Sequence, residues 1–133
     1  MAMEQILNAI DACDGDLFAT YLSPRCEFRA PGFTATGPAP AWAWMSAFLQ
    51  AFPGIEHRLV SRVEADGREA AEVAITGTHT APLVSAQGEL PASGRPIAIE
   101  ACDMLTFDAD GKVSSYHIYF DQAGFLAQIG VGG

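Results

Sequence analysis

The sequence predicts an α+β fold in which a cone-shaped, curved antiparallel sheet wraps around helices. Three observations carry that expectation. Segments with helical apolar spacing crowd into the first half of the chain, and long alternating segments fill the second half. One helix, running past Trp42 and Phe48, is apolar over most of its circumference, so it needs cover on two sides or lies over a cavity. The alternating run from Ile97 to Phe107 carries Asp103 in phase with Ile97, Ile99, Ala101 and Leu105, which sets a carboxyl on an otherwise apolar face.

Taken in order, residues 3–13 form a helix whose stripe is Ile6, Ala9, Ile10 and Cys13. Asp14-Gly15-Asp16 stops it, and Asp16 caps a short second helix through Leu17, Phe18, Tyr21 and Leu22, ended at Ser23-Pro24. Cys26 to Ala30 is a short strand with Phe28 inward, turned at Pro31-Gly32. The apolar helix occupies residues 39–52, with prolines at its start, where they are tolerated, and Pro53-Gly54 at its end. Glu56 to Ala65 and Glu69 to Thr80 pair across Asp66-Gly67, a short-hairpin signal. A long polar connection covers 81–94. The strand from Ile97 then turns at Asp110-Gly111 into a last strand, Lys112 to Phe120, with Tyr116, Ile118 and Phe120 inward. A short helix begins at Asp121, its N-cap, and Gly130 to Gly133 form a frayed end.

A chain of 133 residues without a dividing linker is one domain, 1–133. Its formal charge of −9 argues against nucleic acid and anionic membrane as partners, since both are held by basic patches. No apolar run reaches membrane-spanning length, and the acidic start, MAMEQILNAID, lacks the basic region of a secretory signal. The 3 cysteines, Cys13, Cys26 and Cys102, are widely spaced and odd in number, as expected of buried thiols in a reducing, cytoplasmic setting. The histidines, His57, His79 and His117, form no paired ligand motif, so neither a metal nor another cofactor is expected.

The pieces AFPGIEHR, ITGTHTAPL, GRPIAIEACDMLTFDADGKV and YFDQAGFLAQIG resemble those of the SnoaL-like polyketide cyclases, within the nuclear transport factor 2-like fold that includes ketosteroid isomerase. The resemblance implies a cone open at one end, homodimerisation through the sheet face and a pocket for a small hydrophobic or aromatic molecule. Asp103 looks like the aspartic acid that stays protonated in ketosteroid isomerase-like proteins and donates to an oxyanion. Asn8 falls near their tyrosine donor, and Ala30 falls where their general base would be. Ile118 and Met104 fall where SnoaL-like cyclases carry an aspartate and a histidine. The chemistry implied is cofactor-independent isomerisation, cyclisation or dehydration by proton transfer beside a carbonyl. The alternative is a non-catalytic binding or dimerisation module.

The expected catalytic residues are therefore Asp103 as acid and His79, in phase with Val73 and Ile75, as base. A structural role competes for each. Asp103 can accept backbone N–H groups at a bulge or pair with Arg29 or Arg95, and His79 can bond a loop carbonyl. The expected ligand contacts are Tyr116, Trp42, Ile118, Phe120 and Asn8.

Overall fold

A computed structural model describes residues 2–85 and 88–131. Gly132 and Gly133, expected to fray, and Ala86 and Gln87 of the polar connection lie outside them.

The first helix, α1 (Ala2–Asp11), buries Met3, Ile6, Leu7, Ala9 and Ile10 along one stripe. It ends two residues before the expected Cys13. Cys13 takes a left-handed φ of 55°, its N–H reaches the Ile10 carbonyl, and the Asp14 N–H reaches that of Ala9. That is a Schellman closure with cysteine in the place glycine usually fills. The same turn puts Asp14, not Asp16, at the N-cap of α2 (Gly15–Tyr21), where its carboxylate accepts from the Leu17 N–H at 3.0 Å.

Strand β1 (Leu22–Ala30) is longer than expected, because Ser23-Pro24 begins the strand instead of ending a helix. Its pairing with β8 is interrupted between Leu22 and Glu27. Pro24 lies in that gap, where its missing N–H leaves no ladder bond unmade. β2 (Phe33–Thr36) folds back on β1, and α3 (Pro38–Ala51) crosses the concave face. Strands β3 (Glu56–Ala65), β4 (Arg68–Thr78), β7 (Pro96–Phe107) and β8 (Val113–Phe120) follow, and α4 (Gln122–Gln128) closes the chain with Asp121 as its N-cap. The polar connection holds a small hairpin, β5 (Leu83–Ser85) and β6 (Gly88–Leu90).

The 6-stranded sheet runs in the order β2-β1-β8-β7-β4-β3. Its pairs are antiparallel except β1 with β8, which are parallel because the chain between them, from β2 through β7, returns in the same direction. Register places Asp103 between Ala71 of β4 and Ile118 of β8. Its neighbours in phase, Ala101 and Leu105, are buried as the alternation requires. The main core joins α1 and α2 to the sheet through Phe18, Phe28, Leu105 and Tyr116. A smaller core under α4 joins Phe52, Ile55, Ile97, Phe125 and Ile129. No helix among the described residues is long and apolar enough to cross a membrane.

Candidate functional site

A chamber lies between α3 and the concave face of the sheet. Leu7 and Ile10 of α1, Met45 and Leu49 of α3, and Val73, Ile75, Ile99 and Ile118 of the sheet give it apolar walls. Three polar side chains join them: Asp103, Tyr116 and His57. The space open to the centres of water-sized molecules is about 50 Å³.

Asp103 is 4% exposed and Tyr116 is fully buried. Burial pushes the Asp103 carboxyl up to about 7, opposed in part by the Tyr116 hydroxyl and the His57 charge. Asp103 is therefore a group that holds and releases a proton near neutral pH. The Tyr116 hydroxyl donates to Asp103 Oδ2 at 3.3 Å. An O–H···O bond of that length is weak, so the carboxyl is free to turn toward a ligand. Burial, and then the neighbouring Asp103, raises Tyr116 well above the usual phenol range, so it is a neutral donor. No arginine reaches Asp103: Arg29 pairs with Glu27 on the outer face, and Arg95 lies against Gly130.

His57 stands at the start of β3, paired with Ile75. Asp11, the last residue of α1, holds it twice: the Asp11 carboxylate accepts from the His57 backbone N–H at 3.0 Å and meets ring Nδ1 at 2.6 Å. A carboxylate at a helix C-terminus faces the negative end of the helix dipole, at a cost of about 0.3–1 kcal/mol. The two bonds to His57 offset that cost. With Nδ1 donating to Asp11, Nε2 is the ring nitrogen that can accept a proton. Asp11 therefore fixes the tautomer that a general base requires, as the acid of a catalytic triad does.

The expected base, His79, sits elsewhere. β4 ends at Thr78, so the strand alternation no longer governs the next side chain. His79 is fully buried against Phe52, with ring centroids 5.1 Å apart. Its Nδ1 accepts from the Ser93 N–H at 3.1 Å and lies 2.9 Å from Ser93 Oγ. Its backbone N–H donates to the Arg95 carbonyl. This ring ties the start of the polar connection to its end and does not line the chamber. Burial lowers its pKa, which keeps it neutral.

Two expected ligand contacts also lie outside. Asn8 is exposed, one helical step off the buried stripe of α1. Trp42 packs against Phe18 at 5.2 Å and lies over Gly15, where a Cβ would come within 2.6 Å of its Nε1. Trp44, about 200° further round α3, faces the chamber instead. Tyr116, Ile118 and Phe120 do line it.

His57 and Asp11 are the residues that sequence reasoning passed over. A usable signal existed for His57, which is in phase with the half-buried Leu59 on β3. Nothing comparable marked Asp11, whose partner is 46 residues away. Among the described residues there is no group of three or more His, Cys, Asp and Glu side chains arranged to hold a metal ion.

The family model described as SnoaL-like polyketide cyclase matches residues 1–129. No curated protein matches. Among solved structures, AclR from Streptomyces galilaeus, described as a candidate hydroxylase, superposes with a TM-score of 0.81 at 20% identity, covering 97% of this chain and 78% of that one. IdmH from Streptomyces antibioticus, a candidate polyketide cyclase, gives 0.79 at 18%, covering 98% and 96%. A protein from Catenulispora acidiphila with a ketosteroid isomerase-like fold, in complex with trimethylamine, gives 0.80 at 14%, covering 97% and 92%. At these identities the superpositions speak for the fold alone.

Proposed function

The chain belongs to the SnoaL-like polyketide cyclase family, and from that premise we propose that its chamber performs proton transfer at a carbon beside a carbonyl, with Asp103 as acid and His57 as base. The observation that carries this reading is one apolar chamber lined by both a buried, protonatable carboxyl and an imidazole oriented by a second carboxylate. In this reading Asp103 and Tyr116 bind the carbonyl oxygen, and His57 Nε2 removes the proton from the adjacent carbon. The negative charge that develops on oxygen is met by hydrogen bonds in a dry site, where they are strongest. Returning the proton to another carbon gives an isomerisation. Attack of the same carbanion on a second carbonyl gives a cyclisation, and loss of a β-hydroxyl gives a dehydration.

Register supports a division of labour between the two groups. His57 is level with Ile99, two strands across and four residues along from Asp103, so the backbones are about 16 Å apart on a flat sheet. In this reading, sheet curvature and inward side chains shorten that gap and leave the two groups on different sides of a small reactant.

A ketone that fits the chamber tests the reading. In D2O, the protein should exchange the methyl protons of acetone for deuterium, followed by proton NMR. His57→Gln and Asp103→Asn should each slow exchange by about 10²–10⁴-fold, the usual contribution of one acid–base group. Exchange at the unvaried rate in both variants overturns the reading.

Ile118 favours a second reading. It pairs directly with Asp103 and stands where SnoaL-like cyclases carry an aspartate. A chamber that binds a ketone without exchanging its protons would make the protein a binding module.

A further inference from the structure

Glu69 is a buried acid that the proton-transfer reading leaves unused. It lies on β4 in phase with Ala71 and Val73, so it points to the inner face, and it is 1% exposed. A buried carboxyl is costly unless it is paired. Its Oε2 accepts from the Met3 backbone N–H at 3.1 Å. Its Oε1 has no hydrogen-bond partner among the described residues, and Arg62 Nη1 of β3 stands 3.7 Å away. The Met3 N–H belongs to the first turn of α1, where N–H groups have no partner inside the helix. Glu69 therefore caps α1 from a strand, across 66 residues of chain.

The other end of α1 is held as well. Asp11, its last residue, accepts from the His57 N–H and meets the His57 ring. The two anchors stand on adjacent strands. His57 of β3 is level with Ile75, six residues along β4 from Glu69. That is about 20 Å on a flat sheet. From Met3 to Asp11 the helix rises about 12 Å, and the Glu69 and Asp11 side chains span the rest.

We propose that Glu69 is a positioning residue, which fixes α1 along its own axis so that the helix, as a strut, delivers the Asp11 carboxylate to His57 Nδ1. This role goes beyond the proton-transfer reading and rests on the Asp11–His57 bond, not on turnover.

The buried stripe of α1 does not set that register by itself. Met3, Ile6, Leu7 and Ile10 hold the helix against the core, but apolar burial has no preferred direction. A hydrogen bond does. A slide of about 1 Å along the helix axis takes the 2.6 Å contact at Nδ1 out of hydrogen-bond range. The bond at Met3 opposes that slide from the far end. The left-handed closure at Cys13 follows Asp11 at once, so Asp11 moves with the helix and not with a loop.

The His57 ring reports on the strut without any substrate. In ¹⁵N spectra of the unsubstituted protein its proton should sit on Nδ1. Glu69→Met keeps the length of the side chain and removes the acceptor. It should lower the ratio of Nδ1–H to Nε2–H tautomer by about 3–10-fold, the range that one hydrogen bond supports. Acetone exchange should slow by about the same factor. Glu69→Gln keeps an oxygen that can accept from Met3, and it should return the ratio to within about twofold of the unsubstituted protein. In the Asp11→Asn background, Glu69→Met should change the ring no further, because the bond it positions is already gone. Glu69→Leu repeats the test, should the first variant fold poorly. An unmoved His57 ring in a folded Glu69 variant, or the same change with and without Asp11, overturns the strut. A ring that moves in a protein that exchanges no acetone protons sinks the proton-transfer reading and leaves the strut standing.

Discussion

His57 and His79 flank the same β-hairpin, at the first turn of β3 and just past the end of β4, yet their surroundings assign them different work. Each has a polar partner at Nδ1. For His57 the partner is the Asp11 carboxylate, an acceptor that leaves Nε2 as the free base. For His79 the partner is the Ser93 N–H, a donor, so Nδ1 is the bare nitrogen and the proton sits on Nε2. His57 lines the chamber, and His79 is sealed against Phe52. The histidine whose proton can be moved is the one held by a carboxylate, and the one held by an amide is a fixture of the loop.

The widest separation between the two should come from substitution by glutamine. His57→Gln should slow acetone exchange by about 10²–10⁴-fold. His79→Gln should leave the rate within about threefold and instead destabilise the fold by about 1–3 kcal/mol, the cost of disturbing a buried, hydrogen-bonded group. Urea melts and the exchange assay together read both effects. Equal loss of activity in the two variants would erase the distinction.

A smaller effect should follow from Asp11→Asn, which removes the charge and keeps the shape. The amide can present its NH2 to Nδ1 and favour the opposite tautomer. Exchange should fall by about 10–100-fold, and ¹⁵N spectra should show the His57 ring proton moved from Nδ1 to Nε2. A slower variant with an unmoved ring proton would point to a structural role for Asp11.

Asp103 adds a pH dependence of its own. Its carboxyl is raised to about 7, so the acid form, which the proposed reaction uses, is lost above that pH. Exchange should decline on the alkaline side of about 7, and Asp103→Asn should abolish that limb. Stability carries the matching sign. Below about pH 4 the residue is protonated whether folded or unfolded, and its contribution is complete. As pH rises to about 7 the unfolded chain ionises first, so the fold loses up to about 4 kcal/mol. Asp103→Asn should therefore be more stable than the unsubstituted protein at pH 8, and urea melts at pH 4 and pH 8 check it.

The smallest expected effect is at His79. Burial lowers its pKa, so it contributes stability above its unfolded value near 6.5 that is lost as pH falls below it. His79→Gln should flatten the acid side of the stability profile below about pH 6.5.

The contrast also shows what could be read from the chain. β7 is 12 residues long, and its unbroken alternation placed Asp103 inward without a structure. Tyr116, Ile118 and Phe120 followed from the same rule on β8. His79 failed because one irregular residue at a strand end breaks the phase. Trp42 and Trp44 could not be told apart on a helix that is apolar nearly all round, and Gly15 decided between them by letting Trp42 settle on α2. Pro24 read as a helix stop because the interruption in the β1–β8 ladder that tolerates it depends on a partner some 90 residues later. The hold of Asp11 on His57 is of the same kind, a contact between distant segments with no local mark.

A double-substitution cycle on acetone exchange tests most directly whether Asp103 and His57 act on one ligand. If they do, Asp103→Asn, His57→Gln and the combined variant should all exchange at nearly the same slow rate, because each substitution alone disables the shared step. Losses that simply multiply in the combined variant, or single variants that exchange as fast as the unsubstituted protein, would contradict a joint site.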